Sequence, residues 1–270
     1  MYNPKRPINF VLASTDHGTM IVNKNDYNLD AKNERYGVGH SLFDQGHWEL
    51  SAIQDVSKLL TIRRSSQEDN LVIIDCGANV GVHAVEWAKH IWGNGNVYAY
   101  EAQPAIFYAL AGNTAINNCL NLHPRNQAVG IRKGKIQVPN LDFSKPASYG
   151  SLELEQDRIH EDIGQPVDYT NTQEIDMVSI DSLNQGADLI KIDVEGMEQD
   201  VLKGAERTIN EHHPILMVEI IKSDARTLKQ WILDHGYDIY PLGADILCVH
   251  QEDPTNTHIE SVSRSSVKIS

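Results

Sequence analysis

Cysteine is scarce in this 270-residue sequence, and long apolar runs are missing from it. The three cysteines, Cys76, Cys119 and Cys248, stand far apart, and no Cys-x-x-Cys pair occurs. An odd and scattered set of this kind argues against a disulfide framework and against a cysteine-ligated zinc site. It favours a reducing compartment, so a cytoplasmic location is predicted. The first ten residues are polar and interrupted by proline, so neither a signal peptide nor a membrane span is expected.

Positive charge is also in short supply. Lys and Arg number 23 against 37 Asp and Glu, which gives a formal net charge of −14. A protein that binds nucleic acid needs a positive surface against the phosphates, so no nucleic-acid partner is expected. With 41% hydrophobic and 22% charged residues, the composition is that of an ordinary globular protein, and the length suffices for one ample core.

The sequence is predicted to divide into three parts: residues 1–70, 71–250 and 251–270. In the first part, apolar runs at 8–12 and 19–22 flank a turn signal, which predicts a hairpin. Apolar residues at helical spacing then predict a helix over 47–63, after a loop at 23–35. This first part is therefore a small hairpin and helix extension. The last part is polar, with little apolar content, and is predicted to be a mobile tail.

The central part alternates strand and helix patterns in the order typical of a doubly wound, mostly parallel sheet. Strands are predicted at 71–75, 96–101, 126–129, 135–138, 177–180, 188–193, 215–219, 237–241 and 245–250, and helices at 82–91, 104–117, 197–212 and 224–235. Residues 131–187 are less regular than the rest.

A glycine-bearing turn, Asp75-Cys-Gly-Ala-Asn-Val-Gly81, follows the first of these strands. Gly77 and Gly81 would let the backbone approach a ligand closely, and ligands of such sheets bind beyond the carboxyl ends of the strands. The motif is neither the dinucleotide Gly-x-Gly-x-x-Gly nor a P-loop. An acidic Asp75 would repel a pyrophosphate and suits a ligand with a positive centre. A plain tight turn explains the same residues.

Acidic side chains recur at the predicted ends of three further strands. Glu101 could accept both hydroxyls of a ribose, or be a solvated surface carboxylate. Asp193 and Glu195 lie in Lys191-Ile-Asp-Val-Glu-Gly196, where Glu195 could equally cap the next helix. Glu219 ends the strand after that. Four acidic groups on one rim are more than helix capping explains.

Taken together, these motifs resemble the FkbM-type S-adenosylmethionine-dependent methyltransferases over residues 37–249. The matching segments are Asp75-x-Gly-Ala-Asn-x-Gly81, Tyr100-Glu-Ala-Gln-Pro104, Asn126-Gln-Ala-Val-Gly130, Ile190-Lys-Ile-Asp-Val-Glu-Gly196 and Gly204-Ala205. The family usually has Glu-Pro after the second strand, whereas Ala102-Gln103 intervene here. The resemblance implies a seven-stranded class I methyltransferase sheet whose last strand, 245–250, is antiparallel. It also implies O-methylation of a sugar, glycan or polyketide hydroxyl with S-adenosyl-L-methionine as the cofactor.

The resemblance further implies which residues hold that cofactor. Asp75, Gly77, Asn79 and Gly81 would face its methionine end, Glu101 its ribose, Gln127 and Ala128 its adenine, and Asp193 its sulfonium. An early stretch with Tyr36, Gly46 and Glu49 is expected to pack over it.

Methyl transfer to a hydroxyl needs that hydroxyl deprotonated, by a general base or by a metal ion. The base candidates are Asp193, Glu195 and Glu219, of which the first two are preferred. His40, His47 and His83 are weaker candidates, because the chain has 12 histidines and each is more often a packing residue. No His/Asp spacing indicates a metal site, so no metal ligand is predicted.

Two rival functions stay open alongside this one. A nicotinamide-dinucleotide oxidoreductase would suit the sheet and Glu101, but the pyrophosphate glycine pattern is missing. A cofactor-binding protein without catalysis is the other. An N-methyl acceptor is disfavoured, because Glu219-Ile-Ile-Lys222 stands where amino-methylating enzymes carry Asn/Asp-Pro-Pro-Tyr. Residues 142–151 are predicted to face a small-molecule or glycan acceptor, or to be a plain surface connection. Neither the acceptor's identity nor the oligomeric state follows from the sequence.

Overall fold

A computed structural model describes residues 7–65, 70–155, 161–261, 263 and 266–269 of the protein. The N-terminal hairpin is confirmed, with strands β1 (Phe10–Thr15) and β2 (Gly18–Asn23) pairing antiparallel. The expected loop after it contains a two-residue ladder of β3 (Asn28–Leu29) and β4 (Arg35–Tyr36). A short helix, α1 (Val38–Asp44), was not predicted.

The predicted helix of this extension is present as α2 (Leu50–Ser65), shifted by a few residues. Its buried residues, among them Ile53, Val56 and Leu60, recur at the spacing of one helical face. The Arg63 guanidinium is buried near the end of this helix. It bonds Asp188 at 3.1 Å from its Nε, and its Nη1 bonds Asp253. The extension is thereby tied to residues far along the chain.

Seven strands form the main sheet in the described part of the chain. They are β5 (Leu71–Cys76), β6 (Gly95–Tyr100), β7 (Leu122–Arg125), β11 (Leu189–Ile192), β12 (Ile215–Glu219), β13 (Tyr237–Leu242) and β14 (Asp245–His250). Their spatial order is β13-β14-β12-β11-β5-β6-β7. Neighbours pair in parallel except at β14, which is antiparallel to both strands beside it. The predicted doubly wound, mostly parallel, seven-stranded sheet with an antiparallel last strand is confirmed.

Helices cover both faces of this sheet. They are α3 (Val82–His90), α4 (Pro104–Ile116), α5 (Glu198–Lys203), α6 (Glu206–His212) and α7 (Ala225–Asp234). Alternate residues of a strand point to opposite faces, so Ile73 packs with the Trp87 side and Ile74 with the Ile232 side. Because both faces are covered, the central strands are mostly apolar, as Leu189–Ile192 illustrates, with the buried Lys191 the exception in that strand.

The third strand of the main sheet was predicted at the wrong place. It is β7, and its polar residues His123, Pro124 and Arg125 gave no strand pattern. A proline is tolerated there because β7 is an edge strand. The predicted segment 126–129 instead contributes β8 (Ala128–Val129) to a separate small sheet. That sheet also contains β9 (Gly134–Pro139) and β10 (Thr172–Val178), in the order β8-β10-β9.

The single helix predicted over 197–212 is two helices, α5 and α6, separated at Gly204. The chain approaches Gly130 so closely there that a Cβ on Gly204 would lie 2.3 Å from the Gly130 carbonyl oxygen. The Asp181 carboxylate accepts the backbone N–H groups of Arg207 and Thr208, at 3.0 and 2.9 Å. A distant aspartate therefore caps the second helix and sets the break.

The mobile tail expected at 251–270 is not what the described residues form. A 3₁₀ turn at Pro254–His258 leads into β15 (Ile259–Ser261), which pairs antiparallel with β16 (Val267–Ile269). Ile259, Val267 and Ile269 are each only 8% exposed and join the main core. Three isolated apolar residues in a polar stretch were too weak a signal to predict this.

In the part of the chain that the structure covers, no helix combines the length and hydropathy needed to cross a bilayer.

Candidate active site

A cavity of about 320 Å³ opens where β5, β6, β11 and β12 end. Of the ten residues predicted for the site, eight line this cavity: Gly77, Asn79, Glu101, Gln127, Ala128, Asp193, Glu195 and Glu219. The carboxyl ends of neighbouring parallel strands meet at one edge of the sheet, which brings these residues together from distant parts of the chain.

The other two predicted residues, Asp75 and Gly81, do not line the cavity. Asp75 is fully buried behind the wall, with its Oδ1 3.7 Å from Nζ of Lys191. Burial raises the pKa of Asp75, and the nearby Lys191 charge opposes that shift. Gly81 begins α3 with φ +90°, and a Cβ there would lie 2.5 Å from Leu110 Cδ1. Both residues shape the wall rather than face its interior.

The turn after β5 owes its shape to Gly77 and Asn79. Gly77 has φ +81°, and a Cβ on it would lie 1.7 Å from the Asp193 carbonyl oxygen, so only glycine fits where two loops touch. Asn79 is also left-handed, and its Oδ1 accepts the N–H of Val80 at 2.7 Å. Asparagine tolerates this backbone better than most residues do.

The Glu101 carboxylate links this turn to the turn that follows β6. Its Oε2 accepts the backbone N–H of Asn79 at 3.0 Å, and its Oε1 accepts that of Gln103 at 2.7 Å. Burial raises the pKa of Glu101 to about 7, even though the two backbone N–H donors favour its ionised form. The carboxylate is thus fixed in orientation, and each oxygen keeps a lone pair for a ligand.

Three carboxylates, those of Asp193, Glu195 and Glu219, form the acidic floor of the cavity. They offer oxygen atoms that all lie within 4.8 Å of one another. Lys191 Nζ donates to Asp193 Oδ2 at 2.9 Å, and Lys222 Nζ lies 2.6 Å from Glu195 Oε2. Among the described residues, the buried Oε2 of Glu219 has no hydrogen-bond partner.

The acidic floor is electrostatically strained. Burial, together with the charges of Asp193 and Glu195, raises the pKa of Glu219 to about 9. Burial and the Asp193 charge raise the pKa of Glu195 to about 8, against the opposing effect of Lys222. The floor can therefore accept a proton or stabilise a cation. Its oxygens are also close enough to ligate a divalent ion, although carboxyl clusters of this kind occur without one.

Lys191, Lys222 and Asp245 are cavity residues that the sequence reasoning did not assign to the site. The two lysines lie in the segments Lys191–Gly196 and Glu219–Lys222, but nothing in the sequence showed which carboxylates they contact. Asp245 begins the antiparallel strand β14 and lies opposite Glu219 in the register. The amino end of an antiparallel strand meets the carboxyl ends of its neighbours, and that signal could have found Asp245. Burial raises its pKa to about 8.

The N-terminal extension covers part of the cavity through Tyr36 and Glu49, whereas Gly46 does not line it. His83 also lines the cavity, and its Nε2 lies 3.1 Å from Glu49 Oε2. His40 and His47, the other histidine candidates, are not among the lining residues.

The segment predicted to face an acceptor reaches the cavity in part. Ser148, Gly150 and Ser151 line it, whereas Tyr149 is fully buried and its hydroxyl donates to the Lys145 carbonyl at 2.6 Å. Lys222 Nζ connects this segment to the floor, because it also donates to the Ser151 carbonyl at 2.8 Å.

Glu161 lies above the acidic floor and, with Tyr36, forms the roof of the cavity. Tyr36 donates its hydroxyl proton to Glu161 Oε1 at 2.9 Å, and Lys222 Nζ lies 2.9 Å from Glu161 Oε2. Tyr36 of the N-terminal extension, Glu161 and Lys222, which follows β12, therefore meet over the same cavity.

This strand order, with its one antiparallel strand and its acidic crevice at the strand ends, defines a class I methyltransferase-like α/β fold. Residues 75–239 match the profile of the family described as the methyltransferase FkbM domain. The chain belongs to this family, as the motifs predicted.

Among curated proteins, the chain is similar to the hexuronic acid methyltransferase AglP of Haloferax volcanii. The two are 29% identical over 161 residues, which are 58% of this chain and 57% of AglP. The chain thus matches little more than half the length of that relative.

Among solved structures, a methyltransferase FkbM from Methylobacillus flagellatus is 22% identical, with a TM-score of 0.48 over 67% of this chain and 44% of that one. A putative caffeoyl-CoA O-methyltransferase from Staphylococcus aureus is 9% identical, with a TM-score of 0.45 over 74% and 83% of the respective chains.

Proposed function

We propose that the protein is an S-adenosylmethionine-dependent O-methyltransferase that acts on a hydroxyl of a sugar, a glycan or a related natural product. One observation carries the proposal: in a chain of the FkbM family, a cavity at the strand ends gathers Glu101 and the acidic floor of Asp193, Glu195 and Glu219. The name of the relative AglP, a hexuronic acid methyltransferase, supports a sugar acceptor.

The residues of the cavity fit S-adenosylmethionine in two respects. Glu101 presents a carboxylate held by two backbone N–H groups, which suits a ribose diol. The unpartnered Glu219 oxygen and its acidic neighbours suit a sulfonium and an ammonium group. When bound, this cofactor supplies a methyl group on a cationic sulfur that is an excellent leaving group.

The proposed cofactor contacts are those that line the cavity. Gly77 and Asn79 would hold the methionine end, Glu101 the ribose, Gln127 and Ala128 the adenine, and Asp193 the region of the sulfonium. Asp75 and Gly81 would act indirectly, Asp75 through Lys191 and Gly81 through the start of α3.

We assign the proton-accepting role to Glu219 first among the three candidates. Asp193 and Glu195 are each paired with a lysine, which weakens them as bases, whereas no lysine of the described segments pairs with Glu219. A carboxylate with a raised pKa is the stronger base once it has ionised. A bound cation would favour that ionised form. Lys191 and Lys222 would keep the other two carboxylates charged and in position.

The test is methyl transfer from labelled S-adenosylmethionine to a panel of glycosides, combined with calorimetry of cofactor binding. We expect binding of both S-adenosylmethionine and its demethylated product, and labelled methyl ethers on at least one acceptor. Binding of a nicotinamide dinucleotide in preference to S-adenosylmethionine would contradict the assignment. Cofactor binding without transfer to any acceptor would instead leave a binding protein without catalysis.

A further inference from the structure

A second cavity adjoins the main one at the strand ends, on the side of the N-terminal extension. Its volume is about 560 Å³, and it lies between α1 and the start of α2. We call it the side cavity, and its lining includes Ser41, Gln45, Trp48, Glu49, Ser51 and Gln54. Trp48 and Glu49 also line the main cavity, so the two spaces meet at these residues. A ligand too long for one space would reach the other along them.

The main cavity leaves little room for a large acceptor. Ligand sites commonly measure about 300–1,000 Å³. The main cavity, at about 320 Å³, has to hold both the cofactor and the hydroxyl that receives the methyl group. Any further part of the acceptor therefore lies outside the main cavity, and the side cavity is the adjoining space.

The side chains of the side cavity have the chemistry that binds sugars. Ser41 and Ser51 present hydroxyls, and Gln45 and Gln54 present amides. Both kinds of group donate and accept hydrogen bonds, as sugar hydroxyls do. Within the described part of the chain, these four side chains make no hydrogen bond to another residue, so their polar atoms are free to bond a ligand.

Trp48 supplies the flat apolar surface of the side cavity. The negative face of an indole attracts the weakly positive C–H groups on one face of a sugar ring. The Trp48 backbone N–H donates to Nε2 of the fully buried His17 at 3.1 Å, and its side chain packs against the main core. The indole is thus held in place before a ligand arrives, which lowers the entropic cost of binding.

Glu49 connects this indole to the acidic floor. Its backbone is left-handed, with φ +48°, which is uncommon for a residue with a side chain and is found most often beside ligands. Its Oε2 lies 3.1 Å from His83 Nε2. After burial, the Glu49 charge is the next cause of the raised pKa of Asp245, which lies opposite Glu219 in the strand register. A continuous path along the cavity lining therefore joins the proposed base to Trp48.

We propose that the acceptor is a saccharide of two or more units, whose methylated unit lies over the acidic floor while the next unit stacks on Trp48 in the side cavity. This inference rests on the proposed function and concerns the substrate class of the same site. Glu49 accepts hydrogen bonds from sugar hydroxyls where the cavities meet, and the hydroxyl and amide side chains bond the outer unit. Binding of that outer unit positions the reacting hydroxyl, so longer acceptors have the higher kcat/KM.

The first experiment measures kcat/KM for transfer of labelled methyl from S-adenosylmethionine to acceptors of graded length. The acceptors are series from methyl glycosides to tetrasaccharides of neutral, amino and uronic acid sugars, together with phenols and hydroxy fatty acids. We expect the best acceptor to be a saccharide of at least two units. It should exceed the methyl glycoside of its own methylated unit by at least about tenfold.

A smaller advantage of length, or best transfer to a hydroxyl that is not on a sugar, overturns the inference while leaving the methyltransferase activity in place. Failure of every acceptor contradicts the proposed function and this inference with it. The two failures are therefore distinguishable in one assay.

The place of the outer unit is tested with two variants. Ser51→Trp fills the side cavity from the exposed start of α2, and Trp48→Ala removes the stacking surface. Each should reduce the preference for the best acceptor over its methyl glycoside by at least about tenfold, and Trp48→Phe should restore part of that preference. A loss of S-adenosylmethionine affinity in Trp48→Ala that equals the loss of acceptor use would place the indole on the cofactor and overturn the inference.

Matched controls exist for both substitutions. Ser65→Trp makes the same change at the exposed end of the same helix, and Trp92→Ala removes a tryptophan that is 55% exposed. Neither residue lines either cavity, so both variants should keep the length preference. A preference that survives Ser51→Trp and Trp48→Ala, measured on protein with native circular dichroism, would show that the outer unit does not bind in the side cavity.

Discussion

The ammonium of Lys191 donates a hydrogen bond of 2.9 Å to the carboxylate of Asp193, two residues further along the same strand end. Residues two apart in a strand point to the same side, so this pair extends from the buried sheet into the cavity wall. Burial opposes the charge on Lys191, but Asp193 and Asp75 raise its pKa above the ordinary value. The lysine therefore remains charged inside the protein and connects the core to the site.

Replacing this lysine leaves a buried carboxylate unpaired. We expect Lys191→Met to lower the free energy of unfolding by about 3–5 kcal/mol, because Asp75 is fully buried and would lose its cation. Urea denaturation measures the change. The control Lys58→Met removes an exposed i, i+3 pair and should change stability by less than about 0.5 kcal/mol. The double variant Lys191→Met, Asp75→Asn should recover part of the loss, and a loss equal to that of the single variant would contradict the pairing.

Glu101→Ala tests the proposed ribose contact. We expect S-adenosylmethionine binding to weaken by about 1–3 kcal/mol, because hydrogen bonds to a charged group would be lost. Calorimetry measures the affinity, and Glu101→Gln serves as the milder variant that keeps one oxygen acceptor. An affinity that stays at the wild-type level in both variants would remove the ribose assignment.

Glu219→Gln tests the proposed base. We expect kcat to fall by roughly 10²–10⁴-fold, the usual contribution of general acid–base catalysis, and to fall by a larger factor than cofactor affinity does. Glu252→Gln, at a side chain that is 80% exposed, is the matched control and should keep full activity. If Asp193→Asn reduces turnover far more than cofactor affinity while Glu219→Gln does not, the base is Asp193. Equal losses of turnover and affinity would make Asp193 a cofactor contact.

The pH profile of the same variants gives an independent readout. Turnover should rise with pH as Glu219 ionises, up to a pKa of about 9 and lower where a bound cation favours the carboxylate. In Glu219→Gln this rise should disappear. A profile that keeps its alkaline rise in the variant would assign it to another group.

Stability should fall as the pH rises from about 5 to about 9. Burial raises the folded-state pKa of Glu101 to about 7, of Asp245 to about 8 and of Glu219 to about 9, against ordinary values near 4 in the unfolded chain. Over this range the folded protein holds more protons than the unfolded chain, so the slope of stability against pH is negative. Urea midpoints at pH 5, 7 and 9 measure it, and Glu219→Gln should flatten the alkaline part. A midpoint that climbs with pH would contradict the sign.

The sequence predicted what is local and periodic. The turn from Asp75 to Gly81 and the acidic residues Glu101 and Glu219 could be assigned to strand ends, because an apolar run that stops at a glycine or a carboxylate is visible in the chain. The shared edge of a parallel sheet then brought these residues together without any further information. Six of the eight predicted residues that line the cavity reached it for this reason, whereas Gln127 and Ala128 come from the separate small sheet of β8.

What the sequence could not predict depends on contacts between distant segments. Asp181 caps α6 through backbone N–H groups 26 and 27 residues away, so the capping contact that sets the break at Gly204 had no local signal. In the described part of the chain, β7 pairs with β6 alone, and such an edge strand need not carry the continuous apolar run of a central strand. The ion-pair partners of Lys222 are Glu161 and Glu195, and no spacing along the chain relates these residues.

Arg63 links the helix that precedes the main sheet to a segment that follows it. Its guanidinium sits in the N-terminal helix α2, yet it bonds Asp253 near the other end and Asp188 just before a central strand. Truncation that removes either Arg63 or Asp253 would leave the other buried charge without its counter-ion. The seven-stranded sheet is therefore stabilised by segments on both sides of it, and a version shortened to the family match at 75–239 should be less stable than the protein with both segments.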